Sequence, residues 1–150
     1  PLKAEALIQL ARLWSEQPLL MNKWFQLQAT AIAHPGEPPV VERVRLLMRH
    51  PGFSLSNPNN VNALIRSFCA LNEAEFHRRD AGGYTFWVDQ VLALDKINPT
   101  IAARIARTLD RWRKFTTDRQ TAMRAALEEV ARQRALSRDV SEIVNKSLAY

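Results

Sequence analysis

The segment LSNPNNVNALIRSF, residues 55–68, decides the fold of this chain. Asn57 is a strong candidate helix cap, because its side-chain oxygen can accept a hydrogen bond from a backbone N–H one turn into the helix. Pro58 then takes the first helical position, where its missing N–H costs nothing. An apolar stripe follows at the helical spacing i, i+3, i+4 and i+7: Val61, Leu64, Ile65 and Phe68. The segment therefore predicts a helix that is buried along one side.

Similar helix starts recur along the chain at nearly constant intervals. Gln17-Pro18 precedes this segment, and Asn98-Pro99 and Arg138-Asp139 follow it, so that starts at 18, 58, 99 and 139 are 40, 41 and 40 residues apart. This interval is typical of a two-helix HEAT or armadillo unit, and no stretch alternates as a β-strand does. We predict an all-α, armadillo/HEAT-like stack of about eight helices curved into a bowl.

The apolar periodicity also predicts where the individual helices lie. We expect Trp14, in the first helix, to dock on the second. The expected elements, including a short capped turn at 72–76, cover residues 2–16, 18–34, 40–50, 58–70, 83–96, 98–115, 116–130 and 137–148. The Gly82-Gly83 pair lies in the most polar stretch, where glycine permits backbone angles that other residues avoid.

Composition favours one helical domain spanning residues 1–150. No apolar run reaches the roughly 18 residues that a membrane-spanning helix needs. The chain begins with Pro1 and not with Met, so we expect it to be an excised fragment of a larger protein. The single cysteine, Cys69, adjoins Phe68 in an apolar helix and is predicted to be a core thiol. One unpaired cysteine suits a reducing compartment, and the expected localisation is cytoplasmic.

Positive charge is concentrated in the last third of the chain. The net charge is +6, and ten basic and only four acidic residues lie between positions 104 and 138. Helical spacing places Thr100, Arg104, Arg107 and Arg111 on one face, opposite Ile101, Ile105, Leu109 and Trp112. The arginine row could hold carboxylates or phosphates, or it could be an ordinary solvated face. Nucleic acid, acidic peptide and anionic substrate all remain candidate ligands.

Signatures of catalysis are absent from the sequence. The histidines are His34, His50 and His77, and none belongs to a His-Glu-x-x-His motif. The chain has one cysteine, so no cysteine pair offers the spacing of a metal site. There is no phosphate-binding glycine loop and no Gly-x-Ser-x-Gly turn. We therefore expect no catalytic residue, no metal ligand and no cofactor in this chain, which would not be an enzyme by itself.

Several dispersed motifs resemble the C-terminal helical domain of bacterial aminopeptidase N, in the M1 family of zinc metallopeptidases. They occur in the family's order and cover essentially the whole chain: Lys23–Thr30, Phe53–Asn59, Phe76-His77, Gly83-Tyr84, Asn98-Pro99, Arg119-Gln120, Met123–Leu127 and Lys146–Ala149. The resemblance implies a parent enzyme that removes N-terminal residues from peptides, with broad preference for basic and apolar side chains. Its zinc and its N-terminus-recognition motif would lie in an earlier catalytic domain, outside this chain.

The resemblance also assigns roles to particular residues. It implies an armadillo-like domain that closes over the active site of the same chain and limits which peptides enter. Arg104 matches an arginine that lines the enclosed cavity, and Thr100 matches another lining position. Asn62 falls where relatives carry a basic residue facing the channel, and this difference leaves any charged role there open. The expected partners are the catalytic domain and a peptide substrate, with no membrane and no nucleic acid. The alternative is a basic helical-repeat module that binds nucleic acid or acidic peptide.

Overall fold

The structure is a computed structural model that describes residues 3–6, 8–9 and 17–149. These residues contain helices and no strand, so the all-α prediction is confirmed for this part of the chain. Residues 3–6 and 8–9 are helical, whereas Trp14 and its expected docking lie outside the described residues. The main helices are α1 (Pro18–Ala29), α2 (Val40–Leu47), α3 (58–71), α4 (Glu73–Phe76), α5 (Gly82–Asp95), α6 (Pro99–Ala106), α7 (Thr117–Ala131) and α8 (Arg138–Ala149).

The predicted caps and the forty-residue spacing are confirmed where the structure describes them. Asn57 accepts hydrogen bonds from the backbone N–H groups of Asn59 and Asn60, at 3.0 and 3.2 Å. Asn98 accepts one from the N–H of Ile101 at 3.3 Å. Helices begin at positions 18, 58 and 99 as predicted, and the last begins at 138 instead of 139. The repeat thus reflects a recurring helix start and not a chance spacing of prolines.

Helix α3 differs from a regular helix in its middle turn. Residues Pro58–Val61 and Ser67–Leu71 are α-helical, but Asn62–Arg66 form a π-helical turn between them. The hydroxyl of Ser67 donates to the carbonyl of Asn62 at 3.1 Å, which satisfies a group near this turn. The apolar stripe still faces inward, because Val61, Leu64, Ile65 and Phe68 are fully buried.

Helix α1 ends at Ala29, earlier than the predicted end at residue 34. Asn72, distant in sequence, donates its amide to the carbonyls of Ala29 and Ala31 at 2.9 and 2.7 Å. These bonds satisfy carbonyls that a longer helix would have paired internally. A contact between segments about 40 residues apart therefore sets this boundary. Helix α2 also stops early, at Leu47 instead of residue 50.

Helix α6 is much shorter than the predicted helix that runs to Phe115. After Ala106 the chain continues as two 3₁₀ turns, Arg107–Leu109 and Trp112–Lys114. The carbonyl of Ile105 accepts hydrogen bonds from Trp87 Nε1 at 2.9 Å and from Thr108 Oγ1 at 2.7 Å. Because a carbonyl oxygen has two lone pairs, these bonds compete with the regular α-helical bond at this point. The helix tightens and ends there.

An apolar core runs along the stack and joins the helices. Its largest fully buried side chains are Trp87, Phe25, Phe68, Phe76, Phe86, Leu64, Ile65, Leu94, Ile105, Leu109, Met123 and Leu127. Phe68 on α3 meets the edges of Phe76 and Phe86, with ring centroids 5.7 and 5.6 Å apart. Such edge-to-face pairs stabilise a core beyond the burial of apolar area. Phe68 therefore links α3 to both α4 and α5.

The glycine pair lies within the first turn of α5 and does not supply an unusual backbone angle. The left-handed residue is Ala81, with φ of 60°, immediately before the helix. A Cβ on Gly83 would lie 2.1 Å from the carbonyl oxygen of Phe76. Glycine is required at position 83 because the backbone of the preceding helix, α4, passes too close for any side chain. The pair was predicted to allow unusual backbone angles, and neither glycine adopts one.

Candidate functional site

A groove of about 880 Å³ lies along α6 and α8. Its lining combines the arginine row with polar residues of α8: Thr100, Ala103, Arg104, Arg107, Asp110, Arg111, Arg113, Lys114, Asp139, Glu142, Ile143, Lys146 and Ser147. No helix within the described residues is long and apolar enough to cross a membrane.

The two walls of the groove run in the same direction. At one end, Asp95, four residues before α6, accepts hydrogen bonds from the backbone N–H and the hydroxyl of Ser137, immediately before α8. At the other end, the Nε1 of Trp112, which follows α6, donates to the carbonyl of Ser147 in the last turn of α8, at 3.0 Å. The start of α6 therefore faces the start of α8, and their ends also meet.

Arg113 strengthens the contact at the far end. Its guanidinium donates to the carbonyls of Ser147 at 2.7 Å and Leu148 at 2.9 Å. It also lies 4.2 Å from the ring centroid of Trp112, within range of a cation–π interaction. A cation at the C-terminal end of a helix is favoured by the helix dipole and by the unpaired carbonyls there. Both walls are thus fixed to each other at both ends.

The structure brings Thr100 and Arg104 together in this groove. Arg107 and Arg111 line it as well, and all four side chains are exposed. Arg104, Arg107 and Arg111 form no ion pair with any carboxylate of the described residues. The opposite face is buried, as predicted, through Ile101, Ile105, Leu109 and Trp112. The predicted division of this segment into two faces is confirmed.

Asn62 lies in the π-helical turn of α3, a turn that contacts α6. It is half-buried and is not among the residues that line the groove. Its Oδ1 atom is buried and accepts no hydrogen bond from the described residues. A buried acceptor without a donor is costly, and π-helical turns are frequent at functional sites. Asn62 therefore holds an acceptor with no donor among the described residues, in a turn that packs against the helix of Thr100 and Arg104.

The second wall of the groove was missed by the sequence reasoning. It consists of Asp139, Glu142, Ile143 and Lys146, which lie about one and two turns apart on α8. Their spacing of i, i+3, i+4 and i+7 identifies one face of a helix. That pattern was visible in the sequence, but nothing in the sequence indicated that this face lies opposite the arginine row.

His77 and Cys69 carry potentially reactive side chains, but His77 packs against Tyr84 and Phe115 and Cys69 is buried in the core. His77 Nδ1 lies 2.7 Å from the hydroxyl of Tyr84, its ring stacks on Phe115 at 4.4 Å, and Arg119 donates to its carbonyl at 2.9 Å. Burial lowers the pKa of His77, with a smaller opposing effect from Glu73 and a small lowering effect from Arg119. Burial also raises the pKa of Tyr84 to about 12.

The Cys69 thiol is a core group, as the sequence predicted. It is buried within α3, and burial raises its pKa well above the ordinary range. The thiolate that a nucleophile or metal ligand requires is therefore disfavoured at neutral pH. Among the described residues, no three His, Cys, Asp or Glu side chains lie close enough together to hold a metal ion.

Comparison with known proteins relates this chain to one family and to one region of larger enzymes. Residues 1–149 match the family described as "Domain of unknown function (DUF3458_C) ARM repeats". The chain is 41% identical over 136 residues to aminopeptidase N of Escherichia coli strain K12, an alignment that covers 91% of this chain and 15% of that protein. It is 36% identical over 146 residues to aminopeptidase N of Caulobacter vibrioides, covering 97% of this chain and 16% of that protein.

A solved structure agrees with these relatives. The crystal structure of Legionella pneumophila aminopeptidase A in complex with aspartic acid matches with a TM-score of 0.89 at 38% identity, over 97% of this chain and 16% of that chain. The chain therefore spans about a sixth of the length of the proteins it matches. The armadillo-like fold and the resemblance to the C-terminal helical domain of bacterial aminopeptidase N are confirmed. This chain belongs to the DUF3458_C ARM repeats family.

Proposed function

We propose that residues 1–150 form the C-terminal domain of a zinc-dependent aminopeptidase N, in which they close over the active site and limit the peptides that enter it. The parent enzyme would remove N-terminal amino acids from peptides. Its catalytic domain would be the partner of this chain, and a peptide would be the ligand between them. The proposal is supported by the similarity to aminopeptidases over more than 90% of this chain. The observation that carries it is the groove with its row of arginines, Arg104, Arg107 and Arg111, which form no ion pair within the described part of the chain.

Arg104 is the residue to which we assign substrate contact. Its exposed guanidinium could donate to the carbonyls or the C-terminal carboxylate of a peptide, because its N–H groups form a fixed fork that suits such oxygens. Thr100, one turn earlier, could add a hydroxyl donor or acceptor. Asn62 stays a prediction as a channel-lining residue, since its unpaired amide oxygen would offer an acceptor and no charge.

The zinc and the peptide-bond chemistry belong, in this proposal, to the catalytic domain of the parent. The described residues of this chain contain no group that fits a zinc ion. The contribution of this chain is to bind and orient the peptide and to exclude peptides that do not fit. We also place the parent in the cytoplasm, where the single buried thiol of Cys69 would persist unpaired.

The proposal is tested by Arg104→Ala in the full-length enzyme that contains this chain. We expect KM to rise about three- to tenfold for peptides long enough to enter the groove, because one charge-assisted contact is lost. A dipeptide substrate and the zinc content should show little change. Arg124→Ala is the matched control, since Arg124 is exposed on α7 and pairs with Glu128 outside the groove.

Kinetics that are unchanged for every peptide length would remove Arg104 from the substrate path. If deletion of this chain also left the length preference of the enzyme unaltered, the proposed role in access would be wrong. The two measurements therefore separate the residue assignment from the assignment of the domain.

Nucleic acid binding is the second candidate, and the pairing of the basic residues weakens it. Several of the ten basic residues between positions 104 and 138 already make internal contacts: Arg113, Arg119, Arg124 and Arg138. The cations available to a ligand are therefore concentrated in the groove and do not form a continuous surface. Phosphate contacts make binding steeply dependent on salt. A gel shift with no salt-sensitive complex would exclude this candidate.

A further inference from the structure

Charge is distributed unevenly along the groove between α6 and α8. Because α6 and α8 run in the same direction, the lining residues can be ordered from the start of both helices to their ends. Near the start, Arg104 is accompanied by the carboxylates of Asp139 and Glu142. Near the end, one carboxylate, Asp110, is accompanied by five cations: Arg107, Arg111, Arg113, Lys114 and Lys146. We call these five residues the basic end of the groove.

Most cations of the basic end lack an internal partner. Arg107, Arg111, Lys114 and Lys146 are exposed and form no ion pair with the described carboxylates. Arg113 is the exception, because it is held on the carbonyls of Ser147 and Leu148. Like charges gathered in a concave surface raise the local concentration of anions. The basic end therefore carries an excess of positive charge that its one carboxylate, Asp110, does not balance.

The dimensions of the groove suit a peptide. Along α8, the wall from Asp139 to Lys146 is roughly 10 Å long, at about 1.5 Å per helical residue. An extended peptide advances about 3.3 Å per residue, so roughly three of its residues would lie along this wall. The uneven charge gives such a peptide a preferred direction, with its anionic part at the basic end.

We propose that the basic end of this groove binds a carboxylate group in the downstream part of the peptide substrate, with Arg107 and Arg111 as the principal donors and Lys146 facing them from α8. The carboxylate would come from an Asp or Glu side chain or from the C-terminus of the peptide. Guanidinium groups favour carboxylates because two parallel N–H···O bonds can form at once. This inference rests on the proposed function, and it adds a preference among peptides to the limit on their length.

The test begins with the binding of four labelled hexapeptides to this chain at low ionic strength. The first peptide is neutral and ends in an amide, the second ends in a free carboxylate, and the third and fourth carry an internal Asp or Asn with an amide end. We expect the peptides with a carboxylate to bind about tenfold more tightly than their neutral partners. The second and third peptides distinguish a C-terminal from a side-chain carboxylate.

Variants then locate the site. We expect Arg107→Ala combined with Arg111→Ala to abolish the preference for carboxylates, because the two principal donors are lost. The matched control is Arg132→Ala combined with Arg134→Ala, which removes the same charge from exposed positions outside the groove. The control should retain the preference to within about twofold, since neither arginine lines the groove and neither can donate to a carboxylate bound there. In the full-length enzyme, kcat/KM should follow the same order of peptides.

Equal binding of the Asp and Asn peptides and of the free and amidated peptides would overturn the inference. It would also fail if an oligonucleotide bound tightly while no acidic peptide did, because the site would then recognise phosphate. Neither result depends on the Arg104→Ala kinetics. An unselective groove with length-dependent KM would leave the proposed function standing. A selective groove in an enzyme whose length preference survives deletion of this chain would refute the proposed control of access and leave the carboxylate site in place.

Discussion

At the scale of the residue, Gly83 allows α5 to approach α4 more closely than any residue with a side chain would permit. The nearest atoms to a Cβ at this position belong to the backbone of Phe76, at 2.1, 2.8 and 3.0 Å. Backbone atoms cannot rotate away as the end of a side chain can. From the sequence, we predicted that glycine at this position permits an unusual backbone angle. The actual reason, a tertiary contact, could not be inferred from the local sequence.

We expect Gly83→Ala to lower the free energy of unfolding by about 1–3 kcal/mol, as overpacking of a core does. The higher helix propensity of alanine, about 1 kcal/mol, acts in the opposite direction. Gly82→Ala is the matched control, because its Cβ would meet the side-chain atom Oδ1 of Asp80 at 3.3 Å. Urea denaturation measures both variants. Equal stability of the two would show that the contact with Phe76 carries no strain.

At the scale of the element, helix starts were predictable, whereas the ends of α1, α2 and α6 were not. The starts depend on local chemistry, in which Asn57 and Asn98 cap the residues that follow them. The ends depend on distant partners, such as Asn72 for α1 and Trp87 for α6. Local capping can be inferred directly from the sequence. Distant hydrogen-bond partners are known only from the folded structure.

The start of α8 combines both kinds of information, and it provides the second stability test. Ser137 Oγ accepts from the N–H of Val140 at 3.2 Å, while its own N–H donates to Asp95 at 2.8 Å. We expect Ser137→Ala to cost about 1 kcal/mol, within the range of 0.5–2 kcal/mol for the loss of an N-cap. Ser141→Ala serves as the control, because that hydroxyl contacts only Asn145 among the described residues. A loss of the same size in both variants, in urea denaturation, would contradict the capping role.

At the scale of the whole molecule, the spacing of helix starts predicted the stack but not the groove. Intervals of about 40 residues identify a repeated helix pair, and that repeat determines the fold class. The groove requires α6 and α8 to face each other, and the hydrogen bonds that fix the two ends of the groove join residues 42 and 35 positions apart. The arginine row was therefore predictable from its own periodicity, while the wall formed by Asp139, Glu142 and Lys146 was not.

The third test asks whether the stack unfolds as one unit. Phe68 is fully buried and joins α3 to α4 and α5, so Phe68→Ala should cost about 3–5 kcal/mol, a large part of the 5–15 kcal/mol typical of a domain. Hydrogen exchange should accelerate in both α1 and α7. Leu71→Ala, on the same helix, is the control, since that side chain is 55% exposed and should change stability by less than about 0.5 kcal/mol.

The pattern of exchange decides between two models of folding. Faster exchange in both helices would show that the contacts of Phe68 couple the two halves of the stack. Faster exchange in α1 with no change in α7 would contradict this coupling and indicate independent halves.

The hydrogen bonds that Trp112 and Arg113 make to Ser147 and Leu148 have a practical consequence for anyone who manipulates the gene. A premature stop codon that removes the final helical turn would strand a buried indole N–H and release a guanidinium, at a cost of about 1–3 kcal/mol for the stranded donor alone. The same deletion would also demolish part of the groove. Such a deletion would therefore reduce ligand binding as a point mutation in the groove would. Fluorophores and purification tags are better attached to another face of the protein.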